Sequence, residues 1–172
     1  MLWLVEDNAD AARNLRQEAE HRGVSAGRLV FAHRVKLEEY LARLPLASLL
    51  LDTLPFNAHT VASDALWSGL PIVTCAGSSF ASRVAGSLLR AVGLAELITD
   101  NLADYEALAL RLARDRRMLA RVRARLDRNR QSYPLFDTDR FRRHIESAYQ
   151  TMWERCQRGE PPGDFAVTPV GV

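Results

Sequence analysis

The stretch SLLLDTLPFNAHTVASDALWSGLPIVT, residues 48–74, holds two short apolar runs on either side of an amphipathic segment. The runs at 48–51 and 71–74 predict two buried strands. Between them, 60–68 predicts a helix that Gly69 ends. Two parallel strands need a crossover connection, and a helix is the usual one. This stretch therefore predicts one unit of a parallel α/β layer.

The same alternation extends toward both ends of the chain. Further strands are predicted at 2–5, 29–32 and 97–98, and further helices at 9–21, 38–44, 79–90, 101–132 with a break at 115–117, and 137–158. The predicted fold class is α/β: a Rossmann-like parallel sheet over 1–100, then C-terminal helices over 101–158 packing on it. Residues 159–172 are expected to form a flexible tail. Trp67 and Trp153 lie on apolar helix faces and are expected in the core.

Length and composition are those of a globular domain. The chain has 172 residues, of which 48% are hydrophobic and 26% are charged, which is enough for a sizeable core. These values exclude disorder, a collagen-like repeat and a disulfide scaffold as descriptions of the whole chain. No apolar run approaches the roughly 18 residues of a membrane helix, and early acidic residues argue against a signal peptide.

The cysteines indicate the cellular compartment of the protein, and the charges indicate which binding partners to expect. Cys75 and Cys156 have no metal-type spacing, and such free thiols are typical of a reducing, cytoplasmic setting. Residues 111–158 carry fourteen arginines and six acidic residues, although the net charge of the chain is only +2. Aromatic residues are missing among the nine arginines of 111–130, which favours a solvated helix face. We expect neither nucleic acid nor a membrane as a partner.

Phosphate chemistry is indicated where the strand at 48–51 turns toward the helix at 60–68. The chain has no GxGxxG motif and no P-loop. Free backbone amides and the helix dipole nevertheless favour an anion at such a turn. His59 and Thr60 could donate hydrogen bonds to a diphosphate, and Asp64 could accept them from ribose hydroxyls. The alternative is that Thr60 is a simple N-cap and His59 a loop residue.

A second helix start follows the strand at 71–74. The sequence AGSSF at 76–80 offers serines and a glycine ahead of a helix. It is either another anion-binding turn or plain capping by serine.

Carboxylates at strand ends raise a different possibility. Glu6 and Asp7 follow the first strand and Asp52 follows the third, an arrangement similar to the phosphoacceptor pocket of receiver domains. Oxygen ligands of this kind would hold Mg²⁺. The receiver lysine is missing, because Lys36 is the only lysine and precedes Asp52.

Three longer motifs carry a resemblance to a known family. They are LDT-x-x-x-N-x-HT at 51–60, D-x-LW-x-G-x-P at 64–71 and G-x-x-x-ASRVA at 77–85. In them the chain resembles the catalytic region of TPR-bearing protein O-linked N-acetylglucosaminyltransferases (glycosyltransferase family 41) and their bacterial and Spindly-like relatives. SYPLFDT at 132–138 and YQTMWE at 149–154 extend the resemblance to most of the chain.

The resemblance implies a GT-B architecture, with two Rossmann-like halves and the donor between them. This chain resembles the C-terminal half, which holds the nucleotide. The implied reaction is an inverting transfer from UDP-GlcNAc, or a related nucleotide sugar, to serine or threonine of a protein. No metal and no further cofactor is expected.

Six positions match the donor site of the family: His59, Thr60, Val61, Asp64, Tyr40 and Val35. The first two match diphosphate positions, and Asp64 matches the ribose-binding acid. Val61 replaces a common threonine, so only its backbone amide is expected to contribute. Val35 matches a backbone contact to uracil, and Tyr40 replaces a histidine beside that base.

The family has a strand and helix before the first strand seen here, with a lysine that stabilises the leaving diphosphate. The chain thus resembles a donor-binding half truncated at its N-terminus, and its catalytic residues are unknown. The expected partner is a missing N-terminal catalytic half or TPR region. Without it, the helix face bearing Tyr149 and Trp153 is expected to be partly uncovered, which favours self-association. A catalytically inactive interaction module with the same fold is the alternative function.

Overall fold

The computed structural model describes residues 1–168, which form five strands and seven α-helices. The strands are β1 (Leu2–Val5), β2 (Leu29–Ala32), β3 (Leu50–Leu51), β4 (Ile72–Cys75) and β5 (Ile98–Thr99). The helices are α1 (Ala9–His21), α2 (Leu37–Arg43), α3 (Thr60–Trp67), α4 (Val84–Ala91), α5 (Leu102–Arg114), α6 (Arg116–Ser132) and α7 (Thr138–Gln157). Beyond α7 the described part of the predicted tail has no helix or strand, and its end, 169–172, lies outside the described residues.

Every strand pair is parallel, as the alternation of strands and helices predicts. The strands divide into two sheets, β1–β2 and β3–β4–β5. Leu2 pairs with Leu29 in the first sheet, and Leu50 pairs with Ile72 in the second. The sequence predicts one sheet, and this prediction is wrong. Local periodicity identifies a strand but not its neighbours, so it does not show that the strands divide into two sheets.

The main core surrounds β4. All four of its residues are buried, as expected for the central strand of a parallel sheet with helices on both faces. The largest fully buried apolar side chains are Leu66, Leu70, Ile72, Leu89, Leu94, Leu97, Leu112, Leu126, Val73 and Val92. They come from β4, from α3 to α6 and from the loops between them, so the C-terminal helices share one core with the β3–β4–β5 sheet.

The β1–β2 sheet is more exposed than the prediction of a buried strand implies. Leu2 and Val5 are 45% and 50% exposed. Helix α1 lies beside β2, where the Arg16 guanidinium stacks on the Phe31 ring at 4.5 Å. Because the side chains of a strand project from the two faces of its sheet, this exposure means that neither face of β1 is fully covered at these positions.

Helices α5 and α6 attach the C-terminal part to the sheet. The predicted break between them is confirmed: Asp115 Oδ1 accepts hydrogen bonds from the backbone N–H groups of Arg117 and Met118, both at 2.9 Å, and so caps α6. At the other end of α6, buried Asn129 donates to the Val92 carbonyl oxygen at 2.8 Å. This bond ties α6 to the end of α4.

Helix α7 presents an uncovered apolar face, as expected. Phe141, Tyr149 and Trp153 are all more than 60% exposed, and no residue of the helix is buried. The expectation that Trp67 and Trp153 lie in the core is wrong, since Trp67 is also 54% exposed. The Trp67 ring packs against Phe136 in an edge-to-face arrangement, with the ring centroids 5.1 Å apart.

Two further findings concern residues 1–168 as a whole. No helix there is both long enough and apolar enough to cross a membrane. No group of three or more His, Cys, Asp or Glu side chains in that range is arranged to hold a metal ion.

Candidate functional site

The loop between β3 and α3 is built on Asp52. This residue follows β3 and is 7% exposed. One carboxylate oxygen, Oδ1, accepts hydrogen bonds from the backbone N–H groups of Thr53 at 2.9 Å and Ala58 at 2.6 Å. The other, Oδ2, accepts a 2.5 Å hydrogen bond from the Thr74 hydroxyl on β4. The carboxylate therefore fixes both ends of the loop relative to the sheet.

Within the loop, side chains replace the hydrogen bonds that a regular element would provide. The Thr53 hydroxyl donates to the Phe56 carbonyl oxygen at 2.7 Å, and Asn57 Nδ2 donates to the Thr53 carbonyl oxygen at 2.9 Å. The Asn57 backbone N–H donates to the Ala81 carbonyl oxygen at 2.9 Å, which joins this loop to the segment before α4. Asn57 is 1% exposed, so the loop is anchored inside the protein.

The start of α3 lacks a side-chain cap. His59 occupies the N-cap position and its side chain accepts no hydrogen bond from the helix, while Thr60 is the first helical residue. The interpretation of Thr60 as a simple N-cap is therefore wrong. The backbone N–H groups of the first turn are left without a side-chain acceptor, and the positive end of the helix dipole lies at the same place.

The His59 ring is held on several sides. It stacks on Phe56, with centroids 4.7 Å apart and planes inclined by 21°, and it forms a T-shaped pair with Phe80, with centroids 6.2 Å apart. Its Nε2 lies 3.3 Å from the Ala81 carbonyl oxygen, which accepts a hydrogen bond when Nε2 carries the proton. These contacts restrict the orientation of the imidazole at the helix start.

An open cleft of about 480 Å³ lies at this strand-to-helix turn. Its lining residues are Leu50, Leu51, Asp52, Thr53, Phe56, Asn57, Ala58, His59, Thr60 and Val61. Three of the six predicted donor-site residues, His59, Thr60 and Val61, thus share one cleft at the carboxyl end of β3. Ligands of open α/β sheets bind at this edge.

The remaining predicted residues lie outside that lining. Asp64 stands one turn into α3 and interacts with Tyr40 of α2. Burial, followed by the charge of Asp64, raises the pKa of Tyr40. Val35 is half-buried in the loop ahead of α2. The six residues therefore fall into two groups and one loop position. His59, Thr60 and Val61 line the cleft. Asp64 and Tyr40 form the second group, and Val35 lies in the loop ahead of α2.

The sequence model of glycosyl transferase family 41 matches residues 1–145. The chain belongs to this family.

Three relatives show how much of a family 41 protein the chain represents. It is 37% identical over 161 residues to the UDP-N-acetylglucosamine--peptide N-acetylglucosaminyltransferase of Caenorhabditis elegans, covering 94% of this chain and 14% of that protein. It is 35% identical to the probable Arabidopsis thaliana enzyme SEC, covering 96% of this chain and 17% of that protein. An O-GlcNAc transferase mutant of Thermobaculum terrenum matches in structure with a TM-score of 0.84 at 35% identity, covering 92% of this chain and 31% of that one. The chain therefore spans only a minor part of these relatives.

The second helix start of this family 41 chain is explained by capping. The Ser79 hydroxyl accepts a hydrogen bond from the Ser82 backbone N–H at 3.3 Å, and the Ser82 hydroxyl accepts one from the Ser79 N–H at 3.0 Å. This capping box confirms the plain capping interpretation. The predicted helix at 79–90 is divided at Arg83 into a short 3₁₀ turn, Phe80–Ser82, and α4.

The receiver-like interpretation is wrong. The Glu6 carboxylate faces His33 Nδ1 at 3.1 Å, and Asp7 pairs with Arg34 at 2.7 Å, both within the β1–β2 unit. Asp52 belongs to the other sheet, and its carboxylate is buried and hydrogen-bonded, so it is not available to accept a phosphoryl group.

Sequence reasoning missed several residues that build the loop. The Tyr105 hydroxyl, from α5, donates to the Asp52 carbonyl oxygen at 2.8 Å. Burial, then the charges of Asp52 and Cys75, raise the pKa of Tyr105 to about 12. Asn57 is part of the LDT-x-x-x-N-x-HT motif, which was the one available signal for its buried role. No local pattern points to Tyr105.

Proposed function

We propose that this chain is the donor-nucleotide-binding half of an inverting glycosyltransferase. In this proposal it binds UDP-GlcNAc, or a related nucleotide sugar, and the sugar is transferred to serine or threonine of a protein. The observation that supports it most is the uncapped start of α3 beside the cleft at the carboxyl end of β3. The names of the two eukaryotic relatives supply the donor and the peptide acceptor.

The diphosphate would lie at the first turn of α3. Backbone N–H groups at Thr60 and Val61 and the helix dipole favour an anion there. The His59 ring lies at the same place, and its Nδ1 donates to the diphosphate when that nitrogen carries a proton. Because these groups can meet the charge of the diphosphate, we propose binding without a metal ion or other cofactor. Asp64, one turn along α3, would accept hydrogen bonds from the ribose hydroxyls, with Tyr40 and Val35 toward the base.

The catalytic groups would come from another part of the protein. The relatives are several times longer than this chain, and we propose that an N-terminal catalytic half or TPR region completes the site and binds the acceptor. A cytoplasmic setting is part of the proposal, since Cys75 and Cys156 are both free thiols.

Calorimetric titration with UDP in the absence of added metal tests the donor site. We expect saturable binding by the 172-residue chain, and at least about tenfold weaker binding by Asp64→Asn, the scale of a hydrogen bond to a charged group. Glu146→Gln on the exposed surface of α7 removes the same charge elsewhere and should leave the affinity unchanged. A folded wild-type chain that does not bind UDP would contradict the proposal.

The exposed apolar face of α7 favours a second candidate, an interaction module that keeps the fold without turnover. Turnover of UDP-GlcNAc separates the two candidates, measured with the chain alone and with an N-terminal half supplied from a relative. Hydrolysis or transfer that is lost in His59→Ala would reject the inactive module.

A further inference from the structure

The Nε2 atom of His59 faces a group that can only accept a hydrogen bond. It lies 3.3 Å from the carbonyl oxygen of Ala81, in the 3₁₀ turn before α4. A carbonyl oxygen has no proton to give, so this contact is a hydrogen bond only when Nε2 carries the proton. A neutral imidazole has a single N–H group. The contact therefore places the proton of neutral His59 on Nε2 and leaves Nδ1 as an acceptor.

The Ala81 carbonyl oxygen is itself held in place. It also accepts a hydrogen bond of 2.9 Å from the backbone N–H of Asn57, a residue that is 1% exposed. The turn that carries Ala81 is closed by the capping box of Ser79 and Ser82. The orientation of the imidazole is restricted in turn by its stacking on Phe56. Both partners of the contact are thus fixed by packing and by backbone hydrogen bonds.

Nδ1 is the nitrogen of His59 that is left for a ligand. The His59 side chain accepts no hydrogen bond from the start of α3. In the neutral ring Nδ1 presents a lone pair, which would repel a phosphate oxygen. A second proton turns the ring into an imidazolium, in which both nitrogens donate. Only this form offers the diphosphate a hydrogen bond and a positive charge together.

The charges around His59 do not supply a partner for an imidazolium. The titratable or charged side chains on the surrounding elements are Asp52, Asp64, Arg83 and Tyr105. The Asp52 carboxylate is engaged with the loop and with Thr74, and Arg83 donates to the Gly77 carbonyl oxygen at 3.0 Å. Within residues 1–168 His59 forms no ion pair with a carboxylate. A negative charge for the imidazolium must therefore come from the ligand.

We propose that His59 binds the diphosphate of the donor as an imidazolium, so that each bound nucleotide brings the uptake of up to one proton from solvent onto Nδ1. This inference rests on the proposed donor site. Without ligand, the positive end of the α3 dipole does not favour a cation at the helix start. The diphosphate reverses that balance, and the face of the Phe56 ring attracts the imidazolium as well.

Calorimetric titration with UDP-GlcNAc, in buffers that differ in ionisation enthalpy, counts the protons. Each phosphate of this ligand is substituted on two oxygens, so neither exchanges a proton near neutral pH. At a pH about one unit above the ordinary pKa of histidine, a free histidine side chain is about nine-tenths neutral. We expect the wild-type chain to take up at least about half a proton per ligand under these conditions.

The affinity should depend on pH with a matching sign. Because protons are taken up, the wild-type affinity should fall severalfold for each unit of pH above neutrality, toward the limit of about tenfold for one proton. His59→Gln keeps an amide donor for the Ala81 oxygen but cannot titrate, so its weaker binding should show neither proton uptake nor pH dependence. His33→Gln removes an exposed histidine that faces Glu6 in the β1–β2 unit. It is the matched control and should keep the wild-type values.

Nitrogen NMR of the chain labelled in histidine reads the protonation of the ring without altering the site. The chain has four histidines, so glutamine variants of the other three identify the His59 signals by elimination. At the same pH, the free chain should show His59 mainly as the Nε2–H tautomer. Saturation with UDP-GlcNAc should convert these signals to those of the imidazolium.

The outcomes separate this inference from the donor site. Binding without proton uptake, or uptake that persists in His59→Gln, would overturn the inference and leave the donor site standing. An Nδ1–H tautomer in the free chain, or a neutral ring in the complex, would do the same. A folded wild-type chain that does not bind UDP-GlcNAc would overturn both.

Discussion

Thr74 donates a 2.5 Å hydrogen bond from its hydroxyl to the buried carboxylate of Asp52, across the neighbouring strands β4 and β3. The same carboxylate holds the backbone of Thr53 and Ala58. This bond therefore links the central strand of the sheet to the loop that shapes the cleft. Disturbing it should affect both the stability of the fold and the geometry of the site.

Thr74→Val should lower the free energy of unfolding by about 1–3 kcal/mol, because it leaves a buried carboxylate oxygen without its donor. Urea denaturation measures this loss. Thr99→Val is the matched control: its hydroxyl donates to a neutral carbonyl oxygen, that of Thr74, at 3.2 Å, so its loss should be smaller. In an Asp52→Asn background the effect of Thr74→Val should shrink, and equal effects in both backgrounds would contradict the coupling.

Phe56→Ala should weaken UDP binding severalfold, because the stacked ring that orients His59 is lost; such aromatic contacts contribute about 0.5–1.5 kcal/mol. Calorimetry with UDP gives the ratio. Phe80 lies farther from the same imidazole, in a T-shaped arrangement with centroids 6.2 Å apart, and is 83% exposed, so Phe80→Ala should have an effect below about twofold. The proposed orientation of His59 would be refuted if the two variants lost affinity equally.

Gly93→Ala should destabilise the fold severely. Gly93 has a φ of +72°, and a Cβ placed there would lie 2.3 Å from Cε1 of Tyr133. Gly23 has a similar φ of +75° but open space around it. Gly23→Ala should therefore cost only the backbone term, about 1–2 kcal/mol, and Gly93→Ala about 1–3 kcal/mol more from the clash. Thermal and urea unfolding of the two variants test this difference, and equal losses would show that Tyr133 moves away freely.

Tyr105→Phe should change the alkaline limit of stability. Folded Tyr105 keeps its proton up to a pKa of about 12, against 10.0 ordinarily. The native state therefore binds more protons than the unfolded chain between these values. The stabilisation from this group is complete below pH 10 and is lost as the pH rises through 12. Urea midpoints measured from pH 9 to 12 should fall less steeply in Tyr105→Phe than in wild type, and parallel curves would contradict the assignment.

Much of the local structure follows from the sequence. Helix α1 has the predicted bounds, because Asn8 accepts a hydrogen bond from the Ala11 N–H at 2.7 Å and Gly23 follows the last turn with a positive φ. Strand β3 is shorter than predicted, at Leu50–Leu51. It pairs with β4 through these two residues, and an apolar run does not show where pairing stops.

Part of the candidate site also follows from the sequence, and part of it does not. The sequence places His59 and Thr60 at the start of a helix after a strand, since strand, loop and helix follow from neighbouring residues. It does not show that the Ala81 carbonyl oxygen meets both Asn57 and His59. The effect of Asp64 on the pKa of Tyr40 is also invisible to local patterns, because the two residues lie 24 positions apart on different helices.

The sequence by itself determined the family, the parallel α/β class and the positions of most helices and strands. Periodicity, caps and motifs act over a few residues, so they can be read along the chain. Only the tertiary structure decided that the strands form two sheets, that Trp67 is half in solvent, and that Asp52 is a structural anchor. Those outcomes depend on contacts such as Thr74 with Asp52 and Tyr105 with Asp52, which join residues 22 and 53 positions apart. Such contacts form only when whole elements pack together, because each one depends on the burial that the others create.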